Sequence, residues 1–314
     1  MCVSLQPAAL TNTIVGVYED SNGRRYLAYQ NTVASLAANT QPVAANTQSP
    51  AAVPGQWTFD DLPSAAVDFR AGGNAMILPI PAEVADIEVL DTSAYSHFLK
   101  DIREALIPPV AMSRGTLSFG AGQQMVRVIS FDIYTIVIAA NAQAIATVIN
   151  SDAVPEQCRP ALNDDIVEAY TGWYPGWAIA VCCFNNGEAQ EAKPLLFSYR
   201  PTRQDPDYFF IPTLDCHDGG VPDLTAMVEV DHTIFVACNG MDGPLAYWVD
   251  YSDAAAEPLR RSGALPAKVV GRQLRGTMRN GDIVFRRCDL EAGQFRGLRA
   301  LPPGAREEVE RVFI

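Results

Sequence analysis

The sequence predicts an α+β protein with mixed or antiparallel sheets, two to four helices and a small β-rich C-terminal part. Of its 314 residues, 48% are hydrophobic and 19% charged, which is enough apolar material for a sizeable core. Short apolar segments are separated by turns rich in the 22 Gly and 22 Pro residues. No train of β-α-β units with a glycine fingerprint is present, which disfavours a doubly wound nucleotide-binding fold.

The N-terminal elements begin with a hairpin over residues 12–31, in which Ser21-Asn22-Gly23 supplies the turn. An uncharged stretch follows, and its Pro, Ala, Asn and Gln content predicts a long loop at 32–58, either an insertion or a lid. A short buried strand is expected at 76–78, with Pro79 and Pro81 ending it.

The rest of the chain alternates helical and extended segments. The predicted elements are a helix at 91–106, one or two strands at 126–140, a short helix capped by Asn141, a helix at 161–174, strands near 177–185, 194–201 and 208–215, a strand pair at 227–239, a hairpin at Asn280-Gly281, and a last helix at 303–312.

Charge is distributed unevenly along the chain. Residues 259–311 hold 12 Lys and Arg against 6 acidic residues, whereas the remainder holds 11 basic and 30 acidic residues, for a formal net charge of −13. We therefore expect an α+β domain at 1–243 and a basic, β-rich module at 244–314. Such a module docks either an acidic protein partner or the acidic part of its own chain, and a solvated sheet face is the third alternative.

Composition also limits the compartment and the partners. The N-terminus lacks a secretory pattern, and no run of 18 apolar residues predicts a membrane span. Seven cysteines without a secretory signal favour a cytoplasmic protein with free thiols. The negative net charge makes nucleic acid and anionic membranes unlikely partners of the whole surface.

Several strings resemble a bacterial domain-of-unknown-function family over roughly residues 2–240. They are NAMILPIP, the DTSAYSHFLKDI helix, FDIYTIVIAANAQAIATVI, WYPGWAIAVCCF, PLLFSY, FFIPTLD and VEVDHTIFV. The family shows LPxP and PLxxxY…IPxL strand motifs, its members are usually secreted or membrane-anchored, and it implies no known activity.

Cys2 is the first candidate for chemistry. If Met1 is removed, an N-terminal Cys carries a thiol nucleophile and an amine base in one residue. The start MC and the string GRRYLAYQN (23–31) resemble the cysteine branch of the N-terminal-nucleophile hydrolases, which implies amide hydrolysis with Cys2 as nucleophile. The alternative is a small residue that starts a buried strand.

The string LDCHDGG (214–220) is the densest polar cluster. His217, Asp218 and His232 are the further catalytic candidates, with His217 expected to meet Cys2 or His232 across strands. Adjacent strand residues point to opposite faces, so Cys216 should not pair directly with His217, nor Asp231 with His232. Paired metal-ligand spacing is missing, and we expect no metal and no cofactor.

Trp173, Tyr174 and Trp177 flank a Pro-Gly turn and are candidates for lining a ligand groove. Packing on the core is the alternative for these rings. Taken together, the sequence favours a non-catalytic, cytoplasmic protein that binds a partner or ligand, with the loop at 32–58 and an acidic-partner surface at 259–311 as contacts. The competing hypothesis is a cysteine-dependent amide hydrolase.

Overall fold

The computed structural model describes residues 3–34, 72–106, 127–186, 190–202, 207–241, 246–294, 296–303 and 308–313, and it confirms the α+β class. The strands are β1 (Val3–Ser4), β2 (Ala9–Glu19), β3 (Arg25–Ala34), β4 (Gly73–Ile80), β5 (Glu88–Val89), β6 (Arg127–Phe131), β7 (Tyr134–Ala139), β8 (Ala178–Asn185), β9 (Gln190–Glu191), β10 (Leu195–Tyr199), β11 (Tyr208–Ile211), β12 (Met227–Ala237), β13 (Tyr247–Trp248), β14 (Lys268–Arg279), β15 (Asp282–Arg286), β16 (Arg296–Ala300) and β17 (Glu308–Phe313). The helices are α1 (Phe98–Leu106), α2 (Ala142–Ile149), α3 (Asp164–Trp173), α4 (Glu257–Arg261) and α5 (Arg287–Glu291).

A five-stranded antiparallel sheet has the order β1-β4-β8-β7-β6. Strand β4 continues past Pro79, where the sequence predicted its end, and stops at Ile80. Strand β1 pairs only with Met76 and Ile77, so β4 is an edge strand at Pro79. A missing backbone N–H is tolerated at such a position.

Alternation along β4 divides the hydrophobic core into two parts. Met76 and Leu78 belong to the core shared with the large sheet, whereas Ala75 and Ile77 belong to the core beneath α2 and α3. Helix α2 starts where Asn141 Oδ1 accepts the backbone N–H of Ala144, as the sequence predicted. The five-stranded sheet therefore lies between these two helices and the large sheet.

The large sheet has the order β13-β14-β12-β2-β3-β10-β5, with β9 also pairing with β3. All its pairs are antiparallel except β12 with β2. The hairpin of β2 and β3 matches the prediction, and its Tyr18 and Tyr26 rings stack at 5.0 Å. Tyr18 also donates a hydrogen bond to the carbonyl of Ala264, just after α4. Gly16 lies beneath the Phe235 ring, where a Cβ would collide with it.

The C-terminal residues share sheets with the rest of the chain. Strand β14 pairs with β12 over ten residues, and β15 pairs with β11 in a four-stranded sheet of order β11-β15-β16-β17. The predicted boundary at 243/244 therefore falls between strands of the same sheets. The predicted last helix at 303–312 is wrong, because Glu308–Phe313 is extended and pairs with β16. Helical periodicity there is overridden by antiparallel pairing with the preceding strand, β16.

Two further predictions meet the structure in part. The segment predicted as a strand pair at 227–239 is the single long strand β12, because β2 and β14 pair with its two edges. Of the predicted loop at 32–58, only residues 32–34 lie in the described part of the chain, where they end β3.

Candidate functional site

The polar turn predicted at 214–220 lies beside the first strand. Val3 forms a parallel bridge with Cys216, and the N–H of Ser4 donates to the Cys216 carbonyl at 3.0 Å. Buried Asp282 fixes the start of the turn, because its Oδ1 accepts the N–H groups of Thr213 and Leu214 at 2.9 and 3.1 Å. Backbone bonds to two neighbouring elements thus position the polar side chains that follow.

Within the turn, His217 pairs with Asp215. Nε2 of His217 lies 3.0 Å from Oδ1 of Asp215, and the imidazole is 32% exposed. The backbone of Asp215 is fixed in place, because its N–H donates a hydrogen bond to Asn280 Oδ1 at 2.9 Å. A carboxylate this close to an imidazole is the kind of group that orients a general base. Asp215 was not among the sequence candidates.

Asp218 contacts the thiol of Cys216 rather than His217. The thiol donates to Asp218 Oδ1 at 2.9 Å and to the Gly220 carbonyl at 3.2 Å. Burial, followed by the hydrogen bond to Asp218, raises the pKa of Cys216 to about 12. The thiol's hydrogen bond and that from the Gly220 N–H lower the pKa of Asp218. Asp218 therefore closes the turn, and Cys216 stays a protonated donor at neutral pH.

His232 lies on β12 in the large sheet, whereas the turn bridges to β1 of the five-stranded sheet. In β12 it stands in register with Thr13 and Leu274, and it is 7% exposed. Its Nδ1 has no hydrogen-bond partner within the described segments. The adjacent Asp231 is exposed on the opposite face, as strand alternation predicts, and binds Gln273 and Arg275 there.

The three aromatic candidates pack together rather than opening a groove. Tyr174 is 2% and Trp177 5% exposed, and the Trp177 ring meets Phe210 at 4.7 Å. The Tyr174 hydroxyl donates to Asp282 Oδ2 at 2.7 Å, and burial raises its pKa well above the ordinary value. Trp173 is partly buried, with its ring 5.9 Å from that of Tyr170. Tyr174 and Trp177 are therefore core residues, and Trp173 packs against the same core.

His97, just before α1, is partly buried in a small polar cluster. Its imidazole is 13% exposed and lies 3.8 Å from Asp101 and 3.7 Å from Asp253. The ring packs edge-on against Tyr95, whose hydroxyl donates to Asp101. The cluster joins the start of α1 to the segment before α4.

Several arginines of the predicted basic segment form ion pairs with carboxylates of the same chain. Arg287 binds Glu19 through two hydrogen bonds of 2.8 and 2.6 Å, and Arg25 binds the same carboxylate at 3.1 Å. Arg260 and Arg261 both lie within ion-pair distance of Glu257 on α4. Two carboxylates of the same chain, Glu19 and Glu257, thus pair with three arginines of the segment.

Other cations of the segment remain on the surface along the β13–β14 edge, which we define as Tyr247, Trp248, Lys268, Arg272 and Arg275. Trp248 is 70% and Tyr247 43% exposed, and the Lys268 ammonium lies 4.6 Å from the centre of the Trp248 ring. Arg272 and Arg275 are both exposed farther along β14. An exposed aromatic pair with cations beside it is a typical feature of a protein contact surface. The sequence did not single out Tyr247 and Trp248, because a Tyr-Trp pair is equally typical of a buried core.

The remaining catalytic candidate, Cys2, lies outside the described residues, and so does Arg306 of the basic segment. In the described ranges, no three His, Cys, Asp or Glu side chains form a group that could hold a metal ion. The helices of those ranges include none that is long and apolar enough to cross a membrane. The six cysteines that the structure describes are all free thiols.

The fold and these clusters define a three-sheet α+β protein with a polar turn at its first strand and an aromatic, cationic edge. No family model and no curated protein matches the chain. Among solved structures, it is similar to baculovirus P35, with 11% identity, a TM-score of 0.38 and coverage of 90% of each chain. A mutated baculovirus P35 after caspase cleavage gives 9% identity, a TM-score of 0.39, and coverage of 88% of this chain and 91% of that one. TM-scores of this size do not establish a common fold.

Proposed function

We propose that the protein is a non-catalytic binding protein whose partner is an acidic polypeptide. The observation that carries the proposal is the β13–β14 edge, where Trp248 is 70% exposed with Lys268 over its ring. Arg272 is exposed on the same face of β14 as Lys268 and adds positive charge there, whereas Arg275 lies on the other face, 3.3 Å from Asp231. Exposed aromatic residues supply contact area, while the cations select and steer a partner of opposite charge.

The charge balance of the molecule sharpens this assignment. The chain as a whole carries a formal charge of −13, so the exposed cations Lys268 and Arg272 are a local exception to a repulsive background. An acidic partner is attracted to this edge and repelled by most other surfaces. Long-range attraction combined with repulsion elsewhere favours one docking orientation.

Substitutions test this proposal better than truncation. Removing residues 259–314 would delete β14 from the large sheet and β15, β16 and β17 from the four-stranded sheet. We suggest titrating the full chain into a fluorescein-labelled peptide of alternating Glu and Val, with a Lys and Val peptide as the charge control. Arg272→Glu should weaken binding of the acidic peptide at least about tenfold. Arg260→Glu, on exposed α4, is the matched control and should change it less than about twofold.

Equal binding of the two peptides, or equal effects of the two variants, would reject the acidic-partner proposal. The resemblance to the bacterial family and a cytoplasmic location both stay predictions. The role of the loop at 32–58 as a contact surface also stays a prediction.

A second candidate function is the cysteine-dependent amide hydrolase with Cys2 as nucleophile. One observation favours it: the His217–Asp215 pair of 3.0 Å lies in the turn that bridges to Val3, the next residue after Cys2. An oriented imidazole near a thiol is the base that such a nucleophile requires.

Intact mass tests this second candidate first, because a retained Met1 excludes an N-terminal cysteine nucleophile. If Met1 is absent, an amide-based thiol probe should label the wild type and fail to label Cys2→Ala. Asp215→Asn should slow labelling through the orientation of His217, whereas His232→Asn should leave it unchanged. Equal labelling of the wild type and Cys2→Ala would end the hydrolase hypothesis.

A further inference from the structure

Along most of its length, one side of β14 lacks a strand partner in the described part of the chain. On one side, β12 pairs with residues from Val270 to Arg279. On the other, β13 pairs only with Lys268 and Val269, and no other strand of the described residues continues that pairing. Among the residues that the structure describes, most of this 12-residue strand is therefore an edge.

The directions of the unpaired groups follow from the pairing that exists. The carbonyl of Ala267 accepts the N–H of Val249, so residue 267 directs its backbone toward the β13 side. In an antiparallel ladder every second residue points the same way. Gly271, Gln273 and Arg275 thus direct their N–H and C=O groups away from β12. The regular alternation ends at Gly276, whose φ is +104°.

We propose that the acidic partner binds as an added strand along this edge, with backbone hydrogen bonds to Gly271, Gln273 and Arg275. This inference rests on the proposed function and assigns the partner's form: an extended segment with carboxylates at alternate positions. Strand addition derives its affinity from main-chain bonds and its specificity from alternate side chains. Here the carboxylates meet Arg272 and Lys268, which share one face of β14, and the apolar residues of the segment lie on the opposite face.

Charge argues against a second copy of the chain as the occupant. Two β14 edges brought together would place the arginine-rich rows of both copies side by side. Like charges on neighbouring strands are destabilising, and charged edge strands are a common protection against self-association. A carboxylate-bearing segment satisfies the same backbone groups and neutralises the cations.

Gln273→Pro tests the backbone bonds with a matched control. Proline at this outward-facing position removes an N–H on the edge side and leaves the bonds to β12 intact. Gln273→Ala removes the same side chain, with its bond to Asp231, and keeps the N–H. With the Glu and Val peptide, Gln273→Pro should bind at least about tenfold more weakly than Gln273→Ala.

A measurement on the wild type avoids any dependence on how the proline variant folds. Addition of the peptide should slow amide hydrogen exchange at Gly271, Gln273 and Arg275 and leave the amides that already bond to β12 unchanged. Protection without this alternation would overturn strand addition.

The outcomes separate the inference from the proposed function. If Arg272→Glu weakens binding while the Pro and Ala variants of Gln273 bind equally, the acidic partner stands and strand addition fails. If Arg272→Glu has no effect, the proposed function fails as well. A concentration-dependent dimer of the wild type that Gln273→Pro abolishes would assign the edge to a second copy and overturn the acidic segment.

Discussion

Arginine and carboxylate groups meet in two contrasting regions of this molecule. At Glu19, two arginines converge on one carboxylate in the interior, where the Arg25 side chain has no exposure and that of Glu19 only 7%. Along β14, Arg275 and Asp231 pair in the open, at 70% and 63% exposure. The same chemistry therefore holds sheets together in one place and leaves charges accessible in the other. Solvent exposure, rather than residue type, separates a structural arginine from one available to a partner.

The interior cluster connects the large sheet to the four-stranded sheet. Arg25 donates to the Tyr208 carbonyl of β11 and lies over the Phe209 ring at 4.4 Å. Arg287, at the start of α5, lies over the same ring at 5.2 Å. The contacts involve β3, β11 and the end of β2, so the cluster fixes the C-terminal segment against the N-terminal hairpin.

The largest expected effect is at Glu19. Glu19→Gln should lower the free energy of unfolding by about 3–5 kcal/mol, because it leaves a fully buried guanidinium without its counter-ion. Denaturant unfolding of the full chain measures this change. The control is Glu257→Gln, which breaks the exposed pair with Arg261 on α4 and should cost about 0–1 kcal/mol. Similar costs for the two variants would remove the distinction between interior and surface pairs.

A smaller effect is expected at the buried aromatic cluster. Tyr174→Phe keeps the ring and removes the hydroxyl that donates to Asp282, which should cost about 1–2 kcal/mol of unfolding free energy. Tyr247→Phe on the exposed edge is the comparison and should leave stability unchanged. Should Tyr174→Phe prove neutral while it alters peptide binding, the ring would belong to a ligand groove as the sequence first indicated.

The elements predicted correctly are those whose signals are local. The turn at Ser21-Asn22-Gly23 and the cap at Asn141 depend on a few neighbouring residues, and both are present. The last helix was wrong, because an extended Glu308–Phe313 is selected by pairing with β16 rather than by its own periodicity. The place of β14 beside β12 depends on pairing between strands that are farther apart in the sequence, which composition does not reveal.

For the candidate sites too, the sequence predicted what depends on local geometry and missed what depends on distant contacts. Strand alternation correctly placed Asp231 and His232 on opposite faces. It gave no indication that Asp215 would be the partner of His217, since that contact depends on how Asn280 and Asp282 hold the turn. Nor does sequence distinguish exposed Trp248 from buried Trp177, because the difference lies in which strand is at an edge.

Thiol reactivity extends the comparison to uncharged groups. Cys216 is held by Asp218 and Gly220, with a pKa raised to about 12, whereas Cys288 is exposed on α5. Because a raised pKa keeps the thiol neutral, alkylation of Cys216 at pH 8 should be at least about tenfold slower than that of Cys288. Its rate should rise as pH approaches 12. Mass spectrometry of peptides after timed iodoacetamide treatment gives both rates, and equal rates at pH 8 would contradict the hydrogen-bonded thiol.

The smallest effect on stability, and the sharpest test of the comparison, is expected at Arg275. Its pair with Asp231 is exposed on both sides, so Arg275→Ala should change the free energy of unfolding by less than about 0.5 kcal/mol. The same substitution removes a cation from the edge that we assign to an acidic segment, so affinity for the Glu and Val peptide should fall. Asp231→Asn should do the opposite, because it frees Arg275 from an internal competitor and leaves the fold intact. If both variants instead destabilise the protein as Glu19→Gln does, the β14 arginines are structural, and the two regions differ in position but not in role.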